Sequence, residues 1–85
     1  MAAIQIDVRL LEPCEPLEQI LAALHNLSNG DYLHVLHRLE PFPLYKILKQ
    51  QGFKWVTRSV SLEIPFELFI WRENDTTISQ IIQSL

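Results

Sequence analysis

The side chains best suited to chemistry in this chain are a single thiol, three imidazoles and a few scattered arginines. Cys14 sits in LLEPCEPLEQIL, one residue after Pro13 and two before Pro16, where a helix is about to begin. A thiol at a helix N-terminus feels the positive end of the helix dipole, which favours the thiolate and with it nucleophilicity or persulfide chemistry. Glu12 and Glu15 flank it and oppose thiolate formation. The alternative is a small buried hydrophobe that does no chemistry. His34 and His37 are three apart on an alternating segment, so their side chains project to opposite faces and do not share a metal ion. His25 belongs to another element. No metal and no cofactor are expected, and the three histidines read as solvated or hydrogen-bonded groups.

Recognisable catalytic machinery is missing. The chain has two glycines, Gly30 and Gly52, so no glycine-rich phosphate loop can be built. No paired carboxylates or nucleophile–base pair fall at a familiar spacing. A catalytic role is therefore not expected.

Bulk properties narrow the classes further. Eighty-five residues, 48% hydrophobic and 20% charged, suit one small domain with one core. The net charge of −3 and the dispersed Lys and Arg argue against a nucleic-acid surface, which needs a basic patch. Asp7 and Arg9 interrupt the N-terminal apolar pattern, so neither a signal peptide nor a membrane span is expected. One cysteine permits no internal disulfide. The expected setting is cytoplasmic.

The elements that must position these groups follow from periodicity. Ile4, Ile6 and Val8 alternate with Gln5, Asp7 and Arg9, as in a half-buried strand over residues 3–10. Leu17, Ile20, Leu21, Leu24 and Leu27 then fall on one helical stripe. Pro16 is placed in the first helical position, and Gly30 in the stop as a left-handed cap. Tyr32–Arg38 reads as a second strand, with Leu33 and Val35 on one face and Tyr32, His34 and Leu36 on the other. A second proline-marked helix opens at Pro41-Phe42-Pro43, carries Leu44, Ile47 and Leu48, and ends at Gly52. Strands near 53–60 and 65–72 follow, joined by a turn at Ser61–Ile64. In the last, Phe66, Leu68 and Ile70 oppose Glu67, Phe69 and Trp71.

The order βαβαββ predicts an α/β two-layer sandwich of the α+β kind, with a four-stranded mixed sheet. The first two strands are parallel and both helices lie on one face. The domain is read as residues 1–73. Residues 74–85 form a tail in which Ile78, Ile81, Ile82 and Leu85 have helical spacing after Asp75 and Thr76.

Two candidate surfaces follow. Parallel pairing would gather Arg9, Cys14, His37, Arg38 and both helix starts at the carboxyl edge of the sheet, the usual ligand side. A small anion, a cofactor or a partner's acidic segment would bind there, unless nearby glutamates already satisfy those groups. The uncovered sheet face, lined by Tyr32, His34, Leu36, Phe69 and Trp71, would pair two chains, receive a partner or lie under the tail.

The βαβαββ order, the strand ending DVR, Pro13-Cys14-Glu15-Pro16 at the first helix, PFPLYKILKQQGFKW and Gly30-Asp31 together resemble the TusA/SirA family of small sulfur carriers. They resemble more closely an uncharacterised bacterial domain family of that fold. The resemblance spans roughly residues 4–72 and implies an accessory role beside sulfur-relay or redox proteins, as a non-catalytic interaction module. Together with the edge predicted by the topology, the proline-marked segment gives Arg9, Pro13, Cys14, Glu15, Pro16, His37 and Arg38 as the candidate ligand or partner residues. The carriers present Cys-Pro-x-Pro. Aligned on Pro16, their cysteine position is held by Pro13, and Cys14 takes the first proline's place. A persulfide on Cys14 is thus an alternative to the interaction module, and not a direct transfer from the family.

Overall fold

Alternating apolar residues followed by proline-opened amphipathic stretches produce strands and helices in the expected order. A computed structural model describes residues 3–9, 15–28 and 30–84, with Glu15 described in its backbone alone. The elements are β1 (Ala3–Asp7), α1 (Glu15–His25), β2 (Tyr32–His37), α2 (Phe42–Gln50), β3 (Phe53–Arg58), β4 (Phe66–Arg72) and α3 (Thr76–Gln83). β1 is shorter than expected, although Val8 continues its ladder by donating its N–H to the Leu36 carbonyl at 2.9 Å. α1 begins one residue early, so Pro16 is its second residue, still within the turn whose amides have no helical partner.

The four strands form one mixed sheet in the order β1-β2-β4-β3. β1 and β2 are parallel, with Ile4 opposite Leu33 and Ile6 opposite Val35. β4 runs antiparallel to both β2 and β3. The carboxyl ends of β1, β2 and β3 therefore share one edge with the start of β4. Gly30 (φ 86°) and Gly52 (φ 81°) take left-handed conformations after α1 and α2, where a side chain would strain the backbone.

The alternation of side chains divides the core in two. On one face Leu33, Val35, Leu68 and Ile70 pack against Ile20, Leu24 and Leu27 from α1 and its C-terminal end, and Leu44 and Leu48 from α2. Both of those helices thus cover the same face. On the other, Phe69 and Trp71 pack with Ile78 and Ile82 of α3, flanked by Tyr32, Val56 and Ile81. The tail is this face's cover. Phe69 and Trp71 keep 6% and 3% of their surface, and Leu36 keeps 7%, so these three residues of the expected open face are buried, while Tyr32 and His34 are half-buried. The physical reason is that α3 presents Ile78 and Ile82 to the large rings across one side of β4.

Asp75 holds this cover in place. Its Oδ1 accepts the Ile78 N–H at 3.1 Å as the N-cap of α3, and its Oδ2 accepts the Gly30 N–H at 3.1 Å. One carboxylate thus starts α3 and ties it to the β2 entry. The buried Trp71 indole N–H has no hydrogen-bond partner among the described residues. That costs about 1–3 kcal/mol and is offset by burial of the large ring.

Asp75→Ala should destabilise the protein by roughly 1–2 kcal/mol, with Asp75→Asn costing less, because Ala removes both acceptors. Ile82→Ala, at a side chain with no exposed surface, should cost about 2–4 kcal/mol in urea unfolding. If removal of residues 74–85 left the urea midpoint unchanged, α3 would not be the cover described.

Candidate functional site at the carboxyl edge of β1 and β2

Parallel strands that each pass into a helix leave a gap between the sheet edge and the two helix starts. Here the gap is a cleft of about 320 Å³. Val8 and Arg9 enter it from just after β1, and Pro16, Leu17 and Ile20 from α1. His37 comes from the end of β2, Arg38, Leu39, Glu40 and Pro41 from the link that follows, and Pro43 and Leu44 from α2. Of the residues expected there, Arg9, Pro16, His37 and Arg38 are brought together. Glu15 opens α1, and Pro13 and Cys14 lie outside the described residues. The described residues flanking that segment on the cleft wall are Arg9 and Pro16.

The two arginines differ in their freedom. Arg9 donates from Nε and Nη2 to the two carboxylate oxygens of Asp7, at 2.9 and 2.7 Å, and from Nη1 to the Glu63 carbonyl at 2.7 Å. It clamps the β3–β4 loop to the end of β1, and its partner is Asp7 rather than a nearby glutamate. These bonds hold the Asp7 carboxyl at about 2, well below its usual range. Arg38 is exposed and has no hydrogen-bond or ion-pair partner among the described residues. It is the cation the cleft can offer.

His37 is 91% buried and its Nδ1 accepts the Leu39 N–H at 3.1 Å. A neutral imidazole that accepts at Nδ1 carries its proton at Nε2, which has no partner among the described residues. Burial, and then the neighbouring Arg38 charge, pull its pKa below histidine's ordinary 6.5. The ring is thus a neutral N–H donor in an apolar wall. Glu40 accepts from the Tyr45 hydroxyl at 3.2 Å, and that hydroxyl lies 2.6 Å from Thr57 Oγ1. Tyr45 in turn stacks on Trp55, with ring centres 5.3 Å apart. Burial raises the Tyr45 pKa, so the phenol stays protonated.

The expected anion site on backbone amides is not formed at α2. Pro41 and Pro43 have no N–H, Phe42 donates to the Glu40 carbonyl and Leu44 to the Pro41 carbonyl, both at 3.0 Å. Any anion held here must be held by side chains.

Residues of the other sheet face make a separate group. His34 stacks on Phe69 with ring centres 4.6 Å apart, and the Arg58 guanidinium lies 5.3 Å from the same ring centre. His34 Nε2 is 3.2 Å from Glu67 Oε2 but lacks hydrogen-bond alignment, so the pair is ionic only when the imidazole is protonated. Tyr32 and Trp71 lie in the α3 core and Leu36 opposite Glu67. His34 and His37 thus occupy opposite sides of the sheet.

Sequence reasoning missed the apolar walls of the cleft and the Arg9–Asp7–Glu63 clamp. The i, i+2 spacing of Asp7 and Arg9 at a strand end was the one available signal. It also missed four exposed apolar side chains at this edge: Leu39 (62%), Phe42 (65%), Val60 (53%) and Leu62 (100%). Two follow β2 and two follow β3.

The lowered His37 pKa has a sign. The unfolded chain binds its proton first, so stability should be constant above about pH 6.5 and fall as pH drops below it. Urea midpoints between pH 8 and 5 should show this fall, and His37→Gln should flatten it. In a carboxyl-detected NMR titration Asp7 should titrate at about 2, and Arg9→Gln should return it to the usual carboxylate range. An ordinary Asp7 midpoint in the unsubstituted protein would contradict the clamp.

No described helix is long and apolar enough to cross a membrane. No curated protein and no solved structure matches the chain. The sequence profile of the family described as "Uncharacterized conserved protein (DUF2249)" matches residues 5–72, from within β1 to the last residue of β4, with α3 following the match. A match over that much of the 85 residues places the chain in that family.

Proposed function

We propose that this chain is a non-catalytic interaction module that docks a protein partner on the carboxyl edge of β1, β2 and β3. The observation behind this reading is the gathering of exposed Leu39, Phe42, Val60 and Leu62 at that edge, beside an apolar cleft. Exposed apolar groups concentrated at one place mark contact surfaces more often than isolated ones do. The opposite sheet face is occupied by α3. The resemblance of the proline-flanked segment to sulfur carriers supports a partner drawn from sulfur-relay or redox proteins, in a bacterial cytoplasm.

A second reading is favoured by one observation. Arg9 and Pro16, which flank the segment containing Cys14, both line the cleft. In this reading the Cys14 thiolate takes the outer sulfur of a donor's persulfide, releasing the donor's thiolate, and passes that sulfur on.

Photo-crosslinking residues placed at positions 42 and 62 should capture the partner in cells, whereas the same residue at positions 80 and 83, on the exposed side of α3, should not. Capture from α3 alone would overturn the docking surface. The double substitution Phe42→Asp, Leu62→Asp should change stability by no more than about 1 kcal/mol, since both side chains are exposed. Incubation with a cysteine desulfurase and cysteine decides the second reading by intact mass. A gain of one sulfur that Cys14→Ser abolishes supports the carrier, and an unchanged mass removes it.

A further inference from the structure

An apolar cleft with one unpartnered N–H donor on a mostly buried ring and one unpaired cation asks for a particular kind of occupant. Leu17, Ile20, Leu39 and Leu44 supply walls that favour a hydrocarbon chain. The Nε2–H of His37, which has no partner among the described residues, can donate to an occupant that carries an acceptor. The charged side chains described in the wall are Arg9, Arg38 and Glu40. Arg9 is engaged with Asp7 and the Glu63 carbonyl, and Glu40 accepts from Tyr45. That leaves Arg38 as the charge an incoming group can pair with. A volume of about 320 Å³ lies at the small end of ligand sites, too small for a dinucleotide and suited to a compact organic acid.

We propose that the cleft is a binding site for a small monocarboxylate with an apolar chain, its carboxylate taken by Arg38 and by the Nε2–H of His37, and its chain laid against Leu17, Ile20 and Leu44. Two donors to one carboxylate, one of them charged, make the strong class of hydrogen bond. The acid end is held where Arg38 meets solvent, and the chain replaces water in the apolar interior. Leu39 belongs to both surfaces, but nothing in this assignment uses Phe42, Val60 or Leu62, the part of the docking surface that the crosslinking at positions 42 and 62 reads, so the two can each fail without the other.

The test is an amide NMR titration of the full chain with three probes: octanoate, octanol and acetate. Octanoate should shift the amides of residues 8, 17, 20, 39 and 44 at millimolar concentration. Octanol, with the chain and no charge, should bind about tenfold more weakly, and acetate, with the charge and no chain, should leave these amides unmoved. Arg38→Gln, at an exposed position, should lower octanoate affinity severalfold, toward that of octanol, and leave octanol binding unchanged. Equal affinities for octanoate and octanol in the unsubstituted protein would overturn the carboxylate assignment. Absence of shifts at these amides with every probe would overturn the site, while capture of a partner at positions 42 and 62 would stand.

Discussion

The parallel pairing of β1 with β2 is the constraint from which the rest follows. Parallel neighbours cannot be joined by a tight turn, so the chain must cross over through α1. That crossover carries the Leu17–Leu27 stripe onto one face of the sheet, and it brings the carboxyl ends of both strands to one edge. β3 and β4, antiparallel to each other, add the end of β3 and the start of β4 to the same edge. The cleft is therefore a consequence of topology. Pro16 and Pro43, in the first turns of the two helices, line it and offer no N–H.

The second face shows how a small domain economises. At this size two uncovered faces would leave too little buried surface for stability. A single short helix, two turns long, covers the largest rings of β4, and Asp75 fixes it through two hydrogen bonds. The family match ends at Arg72, one residue after Trp71, so the cover is supplied by a segment beyond the matched part of the chain. The consequence for function is one of elimination. With α1 and α2 on one face and α3 on the other, the carboxyl edge carries Leu39, Phe42, Val60 and Leu62, and Ile4 of β1 is the other large apolar side chain exposed among the described residues.

Much of this was legible in the sequence, for physical reasons that can be named. A period of two separates Leu68 and Ile70 from Phe69 and Trp71, and those residues do sit in different cores. The prolines and the two left-handed glycines punctuate the chain where the helices begin and end. The convergence of Arg9, Pro16, His37 and Arg38 followed from parallel pairing alone. What was not legible depends on contacts between distant segments. Arg9 reaches a carbonyl 54 residues away, and no local pattern reports that. The helical spacing of Ile78 and Ile82 says that α3 has an apolar stripe, but it does not say which surface the stripe meets. The saturation of α2's first-turn amides depends on the carbonyls of Glu40 and Pro41 being within reach, a matter of local geometry rather than residue type.

The carboxyl edge, and not the α3 side, is the contact surface proposed for this protein. Isopropanol is a small amphipathic probe that collects wherever accessible apolar surface lies beside a polar group, and amide shifts report where it goes. At a few per cent isopropanol the shifts should cluster in residues 8–9, 16–20, 37–44 and 60–62. A cluster on residues 76–83 and β3 instead, with the edge unmoved, would contradict the claim.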